Sequence, residues 1–166
     1  EGLTPEELVQ LLNEYLTAMC DLISSYHGTI DKFEGDAIIA FWGAPLELPN
    51  HATVACHAAI DMQKKNEEMR KTLREQNRPM LYTRMGMSSG PVVVGNMGSA
   101  DRMDYTMMGD VVNLAARLEG VNKFYQTFTM ISQSTYELAK DDIDTRQLDV
   151  IRVVGKKEPI QVYEVL

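Results

Sequence analysis

The sequence has little of what would mark a specialised class of protein. Cysteine is scarce: Cys20 and Cys56 are the only two in 166 residues, and each falls in a helix-like segment. They lack zinc-type spacing, which implies buried, reduced thiols of the kind kept in a cytosolic setting. No apolar run approaches the length of a membrane span, and no signal peptide is visible. Basic residues are the minority, 16 against 24 acidic, for a net charge of −8. No basic cluster stands out, which argues against nucleic acid as a partner, because neutralising a phosphate backbone takes concentrated Lys and Arg. An anionic small substrate would need a few placed cations or a metal. Repeats and low-complexity tracts are absent. So are a G-x-x-x-x-G-K-[ST] loop and a strand-G-x-G-x-x-G-helix unit, so neither P-loop nor dinucleotide binding is supported.

What is present is ordinary in bulk, with 45% hydrophobic and 24% charged residues. The length suits one domain with a real core. Thr4-Pro5-Glu6-Glu7 is a capping box with proline at the first helical position. Leu8, Leu11, Leu12, Tyr15, Met19, Leu22 and Tyr26 then recur at helical spacing until Gly28. A hairpin follows, Thr29 to Phe33 and Ala37 to Trp42, across Glu34-Gly35-Asp36. Asn50 can cap a second helix running to about Gln76, whose thin apolar side suggests a surface position. Met80 to Met87 and Pro91 to Asn96 read as strands, Gly95 to Ser99 as a loop, and Met103 to Met108 as a short strand. A helix from about Asp110 to Lys123, a strand at Thr127 to Ile131 and a short helix at Ser134 to Ala139 come next. Arg146 to Val154 and Pro159 to Val165 form a closing hairpin. The pattern predicts an α+β or α/β sandwich, helices packed on a largely antiparallel sheet.

Three groups of residues could carry chemistry. Lys32 and Asp36 lie on a hairpin that otherwise reads as core, and by themselves suit a cross-turn ion pair. Asp36 also follows Gly35 directly, a position that lets a ligand or metal approach the backbone. Asn113 and Arg117 are four apart on a helix and so share a face, an amide above a guanidinium that could clamp a ribose and a phosphate. The bland alternative is a first-turn asparagine and a solvated arginine. Lys156 and Lys157 occupy a turn able to reach polyphosphate. His27, His51 and His57 have no metal-ligand spacing, and the eleven methionines look like core filler.

Taken in order, "GTIDKFEGDAIIAFWGAP", "RMDYTMMGDVVNLAARLEG" and "VVGKKEPIQVYEVL" closely resemble the catalytic domain of class III nucleotidyl cyclases, over about Leu8 to Leu166. The resemblance implies a single catalytic domain over residues 1–166, a ferredoxin-like sandwich derived from βαββαβ, with its N-terminal strand missing. It implies ATP as substrate and a head-to-tail homodimer with the active site in the cleft. There the ribose 3′-hydroxyl attacks the α-phosphorus with two Mg²⁺ or Mn²⁺ ions per site, forming 3′,5′-cyclic AMP and pyrophosphate.

On this resemblance Asp36 matches the second metal aspartate, and Lys32 the residue donating to adenine N1, where guanylyl cyclases carry glutamate. Thr106 matches the acceptor for the adenine amino group and resembles a subclass of bacterial and bicarbonate-responsive enzymes. Asn113 matches the ribose-orienting residue, and Arg117 the one stabilising charge on the transition-state phosphorus. Lys156 matches the lysine on the terminal phosphates, with Lys157 able to share the role. The family's first metal aspartate lies on a strand that this chain does not include, so the 166 residues as given are expected to be inactive. The rival reading is a regulatory, nucleotide-binding module without turnover. A cytoplasmic placement is implied, with a sensor or transmembrane segment upstream compatible with it.

Overall fold

A computed structural model describes residues 2–166. The first helix, α1 (Pro5–Ser25), starts as its capping box dictates: Glu7 N–H donates to Thr4 Oγ1 at 3.2 Å and Thr4 N–H to Glu7 Oε2 at 3.1 Å. It stops three residues before Gly28. His27 takes the left-handed turn (φ 64°), while Gly28 N–H closes onto the Ile23 carbonyl at 2.9 Å. Gly28 serves packing instead: a Cβ there would lie 2.7 Å from both Ile23 and Trp42.

The hairpin of β1 (Thr29–Glu34) and β2 (Ala37–Phe41) follows, with Gly35 at φ 61° in its two-residue turn. A positive φ at the first loop position matches the twist of the flanking strands and favours glycine there. Pairing is antiparallel, but the register slips between Ile30 and Lys32, leaving Asp31 without an opposite residue. That bulge matters for the site.

Next comes α2 (His51–Glu75), less superficial than its sequence suggests. Ala52, Cys56, Ala58, Ala59, Met62 and Leu73 are all buried, because small side chains let two neighbouring layers approach one helix. Asn50 stands at its start without a side-chain capping bond. β3 shrinks to Met85–Met87 and is followed by a long hairpin, β4 (Val93–Ser99) and β5 (Arg102–Met108). Gly95 to Ser99, expected as a loop, is strand: each residue pairs with β5, from Gly95 opposite Thr106 to Ser99 opposite Arg102. Backbone pairing does not require side chains, so the glycines hid the strand.

The remaining elements are α3 (Asp110–Tyr125), β6 (Thr129–Ser132), α4 (Gln133–Ala139), β7 (Thr145–Ile151) and β8 (Ile160–Val165). The main sheet runs β3-β6-β8-β7, with β3 and β6 parallel and the other pairs antiparallel; β1-β2 and β4-β5 form separate two-stranded ladders. The α+β class holds.

Side-chain alternation buries both faces of the sheet. Met130 and Val162 pack with Leu114, Leu118 and Val153, while Ile131, Tyr163 and Val165 pack with Ala52, Cys56 and Ala139. A third cluster joins Tyr15, Met19 and Ile23 to Met62 and the first hairpin. Among the described residues, no helix is long and apolar enough to cross a membrane.

Candidate active site

The site residues fall into two groups, each set by a different part of the fold. On α3, Leu114, Leu118 and Asn122 are buried at four-residue spacing. Asn113 and Arg117, one position earlier in each turn, therefore line up along the rim of that face, and both are exposed. The turn after β7 folds over the same rim. Asp110, Asn113, Arg117, Val153, Gly155 and Lys156 line a cleft of about 450 Å³. Gly155 sits at φ 89°, and Lys156 N–H bonds to the Val153 carbonyl at 3.0 Å, which aims the lysine inward.

Inside the cleft Lys156 Nζ lies 3.1 Å from the Asp110 carboxylate. Arg117 forms no ion pair among the described residues. Two cations, an amide and the start of a helix thus share one opening, an arrangement fit for a phosphorylated ligand. Lys157 is exposed outside it. A larger hollow of about 890 Å³ runs along α1 past Val9 and Asn13, and it holds none of these residues.

The second group lies where β1 meets β5. Thr106 Oγ1 donates to Asp31 Oδ2 at 2.7 Å, and Asp31 Oδ1 is 4.0 Å from Lys32 Nζ. The Asp31 side chain is only 3% exposed, whereas half of the Lys32 side chain is open to solvent. In a regular strand, adjacent residues point to opposite faces. The bulge at Asp31 relaxes that rule and lets Asp31 and Lys32 approach each other. Lys32 therefore has Asp31, not Asp36, as its carboxylate neighbour, and the cross-turn ion pair does not form.

Asp36 stays exposed in the hairpin turn. Its charge reaches as far as Tyr15, whose hydroxyl pKa is raised first by burial and then, among smaller effects, by the Asp36 carboxylate. Among the described residues no three His, Cys, Asp or Glu side chains are grouped to hold a metal ion. Asp36 offers one exposed carboxylate, with two oxygens, at the hairpin turn.

Asp31 went unnoticed in the sequence. Its signal was the Asp-Lys pair inside an apolar strand, where strict alternation cannot place both charges at one surface.

Comparisons with known proteins agree with this geometry. Residues 1–165 match the family described as the adenylate and guanylate cyclase catalytic domain. Adenylate cyclase 1 of Rhizobium meliloti is 37% identical over 166 residues, which are all of this chain and 25% of that protein. The chain thus spans about a quarter of that relative's length. The crystal structure of the adenylyl cyclase CyaB from P. aeruginosa superposes with a TM-score of 0.91 at 38% identity, covering 99% of this chain and 85% of that one. The guanylyl cyclase Cya2 superposes with a TM-score of 0.84 at 35% identity, over 99% and 82% of the two chains. With its length matched, its fold reproduced and its cationic cleft in place, the chain belongs to the class III adenylate and guanylate cyclase catalytic domains.

Proposed function

We propose that the 166 residues are a single catalytic domain of an adenylyl cyclase that closes ATP to 3′,5′-cyclic AMP and pyrophosphate at the interface of a head-to-tail homodimer. The observation that carries the choice of ATP is the pairing of Lys32 and Thr106 around Asp31. An ammonium can only donate, and adenine N1 only accepts, whereas guanine N1 carries a hydrogen. Thr106 accepts from the adenine amino group. The relatives include a guanylyl cyclase, but Lys32 faces guanine as a mismatched donor.

Asn113 orients the ribose, and Arg117 neutralises charge gathering on the α-phosphate as the 3′-hydroxyl attacks. Lys156 holds the terminal phosphates with Lys157 in reach, having left Asp110 to do so. Two divalent ions, Mg²⁺ or Mn²⁺, lower the hydroxyl pKa and neutralise the polyphosphate when bound. Asp36 contributes one carboxylate to them. A hard cation takes six or more oxygens. Its other oxygens come from the substrate phosphates, from water and from carboxylates outside the described residues. With Asp36 as their one metal carboxylate, these residues alone are expected to turn over ATP slowly or not at all.

The homodimer reading draws on exposed apolar side chains: Phe33 on the first hairpin, and Val93, Met103 and Met108 on the second. Each site takes Asp36 from one chain and Lys32, Thr106, Asn113, Arg117 and Lys156 from the other.

The test is cyclic AMP production by the full chain, in its native sequence context, from ATP with Mg²⁺ or Mn²⁺. Production that Asp36→Ala abolishes supports the reading. No product with either ion sinks it, and equal production of cyclic GMP from GTP removes its preference for ATP.

A further inference from the structure

We propose that Asp31 is a specificity-determining positioning residue: it commits the only proton of the Thr106 hydroxyl, so that Thr106 can present nothing but an acceptor to the nucleobase. The inference deepens the proposed adenylyl cyclase reading and rests on it. A threonine hydroxyl carries one donor and two acceptor sites and can rotate freely, so by itself it does not discriminate an amino group from a carbonyl. Here the rotation is stopped. Thr106 Oγ1 donates to Asp31 Oδ2 at 2.7 Å, and a carboxylate can only accept.

The lone pairs left on Thr106 suit the 6-amino group of adenine and repel the 6-oxygen of guanine. The other oxygen of the same carboxylate lies 4.0 Å from Lys32 Nζ, which keeps the N1-reading donor at the same edge. The Asp31 side chain is 97% shielded from solvent by the strands around it, so it touches no ligand and acts only through its two neighbours. The fold makes this possible with the bulge between Ile30 and Lys32, which leaves Asp31 outside the β1-β2 pairing. Bulges commonly re-aim a side chain beside a functional site.

The experiment measures binding, so that it does not depend on turnover. Affinities of the full chain for 3′-deoxyATP and 3′-deoxyGTP, which lack the attacking hydroxyl, are compared for wild type, Asp31→Ala, Asp31→Asn and Thr106→Ala. Asp31→Ala should cut the preference for the adenine nucleotide about 10-fold, as expected for one well-placed hydrogen bond. Asp31→Asn, which keeps an acceptor of the same shape, should keep more of it. In Thr106→Ala the further change Asp31→Ala should have little left to remove, and the triphosphate of unsubstituted purine riboside, with no 6-amino group, should bind wild type and Asp31→Ala alike.

Equal weakening for both bases, full additivity with Thr106→Ala, or a wild type with no preference for adenine overturns the proposal. Cyclic AMP formation by the wild type is scored separately. Its absence would end the catalytic reading while the binding preference still decides the role of Asp31.

Discussion

Lys156 on the turn after β7 and Asp110 at the first position of α3 form an ion pair, 3.1 Å apart, across the mouth of the candidate phosphate cleft. Asp110 is three-quarters exposed and Lys156 one-third, so the pair is a weak latch. A polyphosphate carries more negative charge than a single carboxylate and should take the lysine over.

The first expectation follows from that competition. Asp110→Asn should lower the KM for ATP a few-fold with kcat nearly unchanged, and Lys156→Ala should raise it. Steady-state kinetics of the full chain decide the matter. An Asp110→Asn enzyme with unchanged KM would show that Lys156 does not move to the substrate.

Arg117 should behave differently, since its proposed role is confined to the transition state. Arg117→Ala should reduce kcat about 100-fold or more with little change in KM, the pattern of a lost donor to developing charge. Arg117→Lys should rescue little of it, because an ammonium lacks the planar fork. A change confined to KM would assign Arg117 to ground-state binding instead.

Beneath the site, Asn122 ties three segments together. Its side chain is fully buried, donates to the Met85 carbonyl at 2.9 Å and accepts from the Thr127 hydroxyl at 2.7 Å. Asn122→Ala leaves the Thr127 hydroxyl without its acceptor and the Met85 carbonyl without this side-chain donor, and should cost about 1–3 kcal/mol in urea unfolding. Gly86, on the same strand, offers an independent check. A Cβ there would lie 2.3 Å from backbone atoms of Ala115 and Glu119, so Gly86→Ala should push β3 off α3 and cost at least about 1–3 kcal/mol. Wild-type stability in either variant would refute this account of the β3–α3 joint.

Alkaline pH should destabilise the domain through thiol and phenol protons that the folded state retains. Burial pushes the Cys56 thiol from an ordinary value of 9.0 up to about 12. Burial raises Tyr15 too, its largest influence, while a hydrogen bond to the Asp61 carboxylate is the first cause for Tyr26. The folded state therefore keeps protons that the unfolded chain has already released. The contribution of these groups should be constant below pH 9 and be lost as pH rises from about 9 to 12, with Cys56 contributing a slope of at most about 1.4 kcal/mol per pH unit. Cys56→Ser unfolding curves should lack that contribution, and Cys56 should resist alkylation until the chain unfolds. Rapid alkylation at neutral pH would contradict its burial.

Much of the molecule was legible locally. The Thr4–Glu7 capping box, the Gly35 turn and the i, i+4 alignment of Asn113 with Arg117 all depend on residues close in the chain. Misreadings came where a distant partner decides. Gly95 to Ser99 became strand because β5 was there to pair with it, and α2 sank further because two cores close on its alanines. Gly28 was placed as a helix stop, but its missing Cβ makes room for Trp42.

By itself the sequence determined the kinds of group available: an ammonium and a carboxylate on the first hairpin, an amide and a guanidinium one helical turn apart, and lysines on the last turn. Periodicity and composition are local properties, so they survive without a three-dimensional context. Only the tertiary structure decided which of those groups meet. A one-residue slip in strand pairing made Asp31, not Asp36, the neighbour of Lys32, and brought it within 2.7 Å of a hydroxyl 75 residues away. Such a slip is set by the packing of two strands against a third, which no spacing along one strand records.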